Sequence, residues 1–394
     1  MVGKSWRRYG PRRMEGFAMT VALLGAGRVG GAIALDLAES GVQVRALDVS
    51  TERLQNLADV PRIETIEADL RDSNRIAGLT EGCDVAACAV PGSMGYGTVE
   101  ALLRAGRDVV DISFFPEDAM TLAETAESNG CRCLVDFGIA PGCSNLILGM
   151  LLKAYGDLER FACYVGGLPA ARVLPWQYAA PFSPADVIEE YTRPARIVEN
   201  GVVITMDALS IPELVDFPGL GTLEGFVTDG LRTMLRYSDR VPSMVEKTLR
   251  YPGHRELVET LLSSGFFSDE PVKLNGVEVV PRDLTSKLLV DTWHMGPEEP
   301  DLTVMLVEAM GSEDDGSLWE ASWIMTDAYD HENGISSMAR TTGYTCTAGV
   351  HLLLKDLWTE TGVFPPEDVG MHDEPFEFVM SHLEERGIVF LPVG

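Results

Sequence analysis

The chain has 394 residues, with 60 acidic and 31 basic side chains and a net charge of -29. So acidic a surface repels nucleic acid and anionic membranes and favours solubility, which excludes both as partners. Hydrophobic content is 46%, enough for packed cores; the length predicts two or three domains, and no apolar run approaches the roughly 18 residues of a membrane span. The acidic residues are spread along the chain, as on a solvated surface rather than in a binding tail. Cys83, Cys88, Cys131, Cys133, Cys143, Cys163 and Cys346 are odd in number, form no C-x-x-C pair and lie mostly in apolar runs. Reduced, buried thiols and a cytoplasmic location are therefore expected. The six histidines show no ligand spacing, so no metal is expected.

Residues 1–18 contain KSWRRYGPRR without a following apolar stretch. They read as a loose extension rather than a signal peptide, with Met19 beside the first strand. Short β-rich apolar runs predict strands at 20–25, 42–48, 63–68, 84–90, 108–114 and 132–138. Helical stretches separate them. Val29, Ile33 and Leu37 share the face of the first, which Gly41 ends. Ser50 caps the second. Pro116 opens the one carrying Ala119, Leu122, Ala123 and Ala126, and Gly130 stops it. This alternation predicts an α/β Rossmann fold, a doubly wound parallel sheet.

Near residue 150 the pattern changes. Alternating strands are predicted at Phe161–Gly166, Arg196–Met206, Thr303–Met310 and Leu318–Asp327, with hairpin turns at Asn200-Gly201 and Asn275-Gly276. Helices fit 184–191, 222–237 and 254–264, giving an α+β second domain. From Ser337 a long helix leads to a Pro-rich turn and a last helix at 375–386. The expected divisions are 19–145, 146–336 and 337–394.

The first strand runs into Gly25-Ala26-Gly27-Arg28-Val29-Gly30, a G-x-G-x-x-G turn at a strand-to-helix junction. Gly25 permits the tight turn, Gly27 lets the backbone approach a pyrophosphate, and Gly30 lets helix and strand pack closely. The helix N-terminus offers free N–H groups to the phosphates. Asp48 follows about 20 residues on, where a carboxylate holds the ribose hydroxyls and repels a 2′-phosphate. NAD is therefore the expected cofactor. Arg28 and Val29 belong to the phosphate turn, and Val49 flanks the ribose beside Asp48. Asp69 and Leu70 are expected near the adenine, Ala89, Val90 and Pro91 under the nicotinamide-side ribose, and Ser113, Ala140 and Pro141 further along the same edge.

VDISFFPEDA, DFGIAPGCSN, VGGLPA, EEYTRPARIVENG, ELVDFPGLGTLEGFVTDGLRT, EKTLRYPGH and MARTTGY occur in that order. Together, from about residue 20 to the C-terminus, they resemble the saccharopine dehydrogenase-like family, and within it the L-lysine 6-dehydrogenases. The resemblance implies NAD-dependent oxidation of the ε-amine of L-lysine, release of ammonia, and an aldehyde that cyclises to piperideine-6-carboxylate. It also implies a second domain for substrate binding and dimerisation, a C-terminal segment returning to the Rossmann domain, and a homodimer. Saccharopine reductases tend to carry Asp in a GxDPG loop; here Ala140 stands there, in Gly138-Ile139-Ala140-Pro141-Gly142. That departure speaks against saccharopine and for the lysine branch.

Amine oxidation needs a neutral amine when hydride leaves, hence a base or desolvation, and a clamp on the far end of the substrate. Arg193 and Arg250 are candidates for the two-pronged grip on an α-carboxylate, against the alternative of surface ion pairs. Asp229, in Thr228-Asp229-Gly230, interrupts a helical stretch and either faces a ligand or caps a turn. Tyr251 and His254 flank Pro252-Gly253; His254 either accepts a proton or packs at a helix start. Tyr178 and Tyr191 are candidates for shaping the pocket. Cys143 reads as a packed residue, because hydride transfer from an amine needs no covalent nucleophile. The rival functions are oxidation of saccharopine, a polyamine conjugate or another diamino acid by the same family, and a non-catalytic NAD-binding sensor.

Overall fold

The structure, a computed structural model, describes residues 19–180, 184–313 and 315–393. The N-terminal extension expected at 1–18 lies outside the described residues. The chain divides into two compact units. The first runs to Ala154 and takes up Ala339–Val389; the second is Tyr155–Met338 with the last residues from Phe390.

In the first unit the six expected strands form as β1 (Thr20–Leu24), β2 (Gln43–Asp48), β3 (Ile63–Glu67), β4 (Val85–Cys88), β5 (Asp108–Asp111) and β6 (Arg132–Leu134). They lie parallel in the order β3-β2-β1-β4-β5-β6. The order reverses between β1 and β4, which marks the crevice where such sheets bind ligands. Strands buried on both faces read as continuous apolar runs, and Ala22, Leu24, Ala86, Cys88, Val109 and Cys133 share one core. Ser50 caps its helix as expected, its hydroxyl accepting from the Arg53 N–H. Pro116 does not open the next helix. Asp118 caps a 3-10 turn, Ala119–Leu122, that runs into the helix Ala123–Ser128, because its carboxylate accepts the Met120 N–H and proline has no such acceptor.

The C-terminal segment adds a seventh parallel strand, Gly362–Phe364, beside β6. Three residues running into Pro365 are too short for a period-two pattern, so by sequence they read as part of the Pro-rich turn. Two glycines seat this segment. A Cβ on Gly149 would lie 2.0 Å from the Glu367 carbonyl oxygen, and one on Gly370 would lie 2.2 Å from that of Leu146. Asn145 completes the contact, its amide donating to the buried Glu367 carboxylate at 2.9 Å.

The second unit is built on a nine-stranded mixed sheet. Its central strand Arg160–Pro169 pairs parallel to Met244–Arg250 and antiparallel to Asp301–Ser312. Both predicted hairpin turns form, with Asn200, Gly201, Asn275 and Gly276 all at positive φ. The helix expected at 222–237 does not. Gly221–Val227 is a strand, antiparallel to Glu213–Phe217 and to Met244–Arg250, and Arg232–Tyr237 is a 3-10 turn. Gly225 and the β-branched and aromatic residues around it are poor helix formers, and two ladders override a weak helical period.

Candidate active site

At the carboxyl end of β1, Gly25 has φ +97 and donates its N–H to Leu47 O at 2.8 Å. A Cβ there would sit 2.5 Å from Ala89 O, and one on Gly30 would sit 1.9 Å from Gly25 O. Both glycines are thus demanded by the chain itself. Gly27 is not, because a Cβ there meets nothing within 4 Å. Gly27 caps the helix Arg28–Glu39 with no side-chain hydrogen bond, so the helix presents its N–H groups to open space. A pyrophosphate fits such a cradle.

Asp48 is buried at the end of β2. Its two oxygens accept the N–H groups of Ala26 and Ser50, each at 2.8 Å, which fixes the carboxylate against the glycine turn. Arg53 reaches to within 3.6 Å of it. Val49 stands exposed beside it, and Ala68 donates to Asp48 O at 2.9 Å, bringing the end of β3, with Asp69 and the buried Leu70, to the same edge. The Asp69 carboxylate is held by Arg71 at 2.6 Å. Ala89 and Val90 close the far wall of the glycine turn, and Pro91 caps the helix Gly92–Arg104. Arg28 is exposed and Val29 half-buried on the first turn of their helix. Ala140 and Pro141, both half-buried, lie in a tight loop closed by Gly142. Ser113 is enclosed at the end of β5, its hydroxyl donating to Asp111 at 2.5 Å. Burial pushes the Asp111 carboxyl up to about 7 and leaves its second oxygen without a hydrogen-bond partner. Cys143 is buried against Thr345, and burial raises its thiol to about 12. It packs, as expected.

In the second unit, Arg250, Tyr178, Tyr191 and His254 converge. Arg250 is enclosed; it donates to the Tyr191 hydroxyl at 2.8 Å, to Leu249 O at 2.9 Å and to both Glu190 oxygens at 3.3 and 3.4 Å. Its guanidinium stacks on Tyr178, 4.7 Å from the ring centre. The Tyr178 hydroxyl is buried without a hydrogen-bond partner. From Glu190 the network continues through Thr248 and Thr228 to Glu246.

Several expected roles change. His254 is fully buried and donates from Nδ1 to Trp176 O, so its Nε2 accepts from the Tyr191 hydroxyl at 3.0 Å. Burial, with the Arg250 charge, lowers it to about 3. It orients Tyr191 and Arg250 rather than meeting a ligand. Tyr251 donates to Pro169 O at 3.1 Å and carries Arg172 on its ring, a structural position. Asp229 does not interrupt a helix. It follows a strand and grips Arg196 with both oxygens at 2.9 Å, so its charge is spent tying two strands together. Arg250 is no open clamp, since most of its donors are already engaged. Arg193 is half-buried just past the helix Pro184–Thr192. Thr228 joins the network only through other side chains.

Glu190, Glu246 and Thr248 were missed. Their signal was present: Glu246, Thr248 and Arg250 stand at i, i+2 and i+4 of one strand and therefore share a face. Among the described residues no cluster of ligating side chains fits a metal, and no helix is long and apolar enough to cross a membrane.

The Rossmann sheet, its glycine turn and the mixed-sheet second unit define the two-part architecture of dinucleotide-dependent dehydrogenases. Residues 21–134 match the saccharopine dehydrogenase NADP binding domain and residues 138–388 the saccharopine dehydrogenase C-terminal domain. The chain belongs to the saccharopine dehydrogenase family. It is 26% identical over 233 residues to alpha-aminoadipic semialdehyde synthase of Arabidopsis thaliana, covering 56% of this chain and 22% of that protein. It is 25% identical over 225 residues to the NADP(+), L-glutamate-forming saccharopine dehydrogenase of Schizosaccharomyces pombe, covering 53% and 49%. The chain thus spans half or less of the length of these two relatives. The apo saccharopine dehydrogenase (L-Glu forming) of Saccharomyces cerevisiae shares the fold, with a TM-score of 0.79 at 19% identity, covering 95% of this chain and 99% of that one.

Proposed function

We propose that the chain is an NAD-dependent amino-acid oxidoreductase that oxidises the ε-amine of L-lysine and releases ammonia. When bound, the dinucleotide supplies the hydride acceptor. Gly27 and the helix N-terminus after it would hold the pyrophosphate, and Asp48 the adenosine ribose. The observation that carries the substrate reading is the charge balance around Arg250. One enclosed guanidinium sits against Glu190, with Glu246 beyond. Such a network suits a substrate with one carboxylate and cationic amines better than the tricarboxylate saccharopine. Ala140 in place of an acidic loop residue supports the same branch.

A second reading has its own support. Both the matching domain and the Schizosaccharomyces pombe relative are named for NADP and saccharopine, and Arg53 beside Asp48 is a ready partner for a 2′-phosphate. Purified protein with NAD or NADP and with L-lysine or saccharopine, followed by reduced-cofactor absorbance, separates the two. Ammonia from lysine supports the proposal; glutamate from saccharopine moves the assignment to the second reading. We further propose a cytoplasmic homodimer that associates through the second unit. Light scattering showing only monomer at micromolar concentration would remove the dimer.

A further inference from the structure

Glu190 and Glu246 are joined by two hydroxyls, and counting hydrogens fixes the state of the chain they form. Three oxygen–oxygen contacts link them: Glu246 to Thr228 at 2.6 Å, Thr228 to Thr248 at 2.9 Å, and Thr248 to Glu190 at 2.5 Å. All lie within the range of O–H···O bonds. Each threonine hydroxyl brings one hydrogen. With both carboxylates ionised, two hydrogens serve three contacts, and one pair of buried oxygens faces each other bare. A third hydrogen must sit on a carboxyl.

The surroundings select which. Glu246 is enclosed and a Cβ on Gly230 would press on its carboxyl at 2.5 Å; Glu190 and Asp229 act on it as negative charges, Asp229 being paired with Arg196, while the Gly230 N–H donates to it. Glu190 keeps 21% of its side chain exposed and faces the Arg250 guanidinium. Burial pushes Glu246 up to about 8, in agreement. The hydrogens then run one way, from Glu246 through Thr228 and Thr248 to an ionised Glu190.

We propose that Glu190 and Glu246 form a single-proton carboxyl pair wired through Thr228 and Thr248, and that Glu190 is the proton-accepting end, taking a proton from the ammonium of an amino-acid substrate. The role toward substrate rests on the reading of the second unit given above; the wire does not. In the accepting step an N–H bond breaks, an O–H bond forms on Glu190, and the nitrogen keeps the electron pair. The carboxyl pair then holds two protons, and Glu190 returns one to water. When Glu246 has lost its own proton, the same wire runs backwards: Glu190 passes a proton to Thr248, Thr248 to Thr228, and Thr228 to Glu246. Keeping Glu246 neutral also spares Glu190 a second buried negative charge and leaves it ionised against Arg250.

The test is a titration of the ligand-free protein with 13C-labelled glutamate side chains, followed by NMR. One carboxyl is expected to titrate near pH 8 and to vanish in Glu246→Gln. The Glu246 midpoint should shift in Thr228→Val and in Thr248→Val, and recover in Thr228→Ser. If Glu246 titrates in the ordinary carboxylate range, or if Thr248→Val leaves its midpoint unmoved, the wire is overturned whatever the activity. In turnover, Glu190→Gln should lower kcat/KM for L-lysine by about 10²–10⁴-fold at neutral pH. Wild-type turnover in Glu190→Gln would overturn the accepting role. An intact wire in a protein that oxidises no amine would instead remove the functional reading and leave the pair standing.

Discussion

Gly27 and Gly30 stand three residues apart and carry opposite expectations. Gly30→Ala forces a Cβ to 1.9 Å from a backbone oxygen, so the turn must deform. A loss of several kcal/mol in stability is expected in urea unfolding. Gly27→Ala meets open space. It should leave stability within about 0.5 kcal/mol yet weaken dinucleotide binding at least about tenfold, close to 1.4 kcal/mol, measured by fluorescence titration. Unchanged affinity in Gly27→Ala would take the pyrophosphate away from this turn. Asp48→Ser should relax the preference for NAD, with Arg53 left free of its partner. A wild type that already reduces NADP more efficiently would refute the ribose assignment. The two arginine variants test different things. Arg193→Ala is expected to cost about 1.5–3 kcal/mol in kcat/KM if it holds the carboxylate. Arg250→Ala also strips the counter-charge from Glu190, and losing one partner of an enclosed ion pair costs about 3–5 kcal/mol of stability. Its activity is therefore interpretable only beside an unfolding curve.

At the scale of elements, the C-terminal segment belongs to the first unit through close backbone contact rather than side-chain bulk. Gly149 and Gly370 bring the helix Cys143–Tyr155 within touching distance of Pro366–Gly370. Asp36 makes a second tie: Arg386 donates to it at 2.6 Å and Thr347 at 2.6 Å. Burial alone would raise the Asp36 carboxyl, but His382 at 3.7 Å and the Arg386 charge outweigh it and hold Asp36 well below the usual carboxylate range. Gly149→Ala is expected to destabilise by several kcal/mol, since its Cβ meets a carbonyl oxygen that cannot move without shifting a strand-bearing segment. Limited proteolysis should then release the C-terminal segment at lower denaturant than in wild type. Equal resistance would show that the contact is not what holds it. The sequence named the helices of this segment but not the seventh strand, because three residues carry no period and only the exposed edge of β6 makes them pair.

For the whole molecule, buried titratable groups set opposing slopes. Burial lowers His254 and His351 to about 3 and His382 to about 4. Their unfolded values lie near 6.5, so the unfolded chain takes up protons first. The stability they favour is complete above about 6.5 and is lost as pH falls toward 4 and 3. Asp111 and Glu246 run the other way, raised by burial to about 7 and about 8. Their unfolded values lie near 4, so their stability is complete below that and is lost as pH rises to 7 and 8. Between about pH 7 and 8 few unfolded histidines still carry a proton and the carboxyls dominate. Stability should fall there by up to about 1.4 kcal/mol per pH unit and group. Urea midpoints at the two ends measure it, and Asp111→Asn with Glu246→Gln should flatten the slope. A wild-type midpoint that rises over this interval would contradict the protonated carboxyls. The net charge of -29 adds a separate term: salt should stabilise the chain by screening self-repulsion.

The sequence by itself determined the first unit's six strands and their parallel class, the glycine turn and the buried cysteines, because each depends on neighbours close along the chain. Period, turn residues and the need to bury apolar runs are local properties. The motifs of the second unit likewise marked the family and put Arg250, Tyr178 and Tyr191 among the residues that meet. What those residues do was decided only by tertiary structure. Whether Asp229 faces a ligand or Arg196, and whether His254 is a base or a neutral core residue, depends on partners 33 and 63 positions away. The Glu190–Thr248–Thr228–Glu246 chain needs a helix and two strands at once, so its hydrogen count cannot be taken before they are packed. Burial then sets the charge of each group, and burial is a property of the folded chain alone.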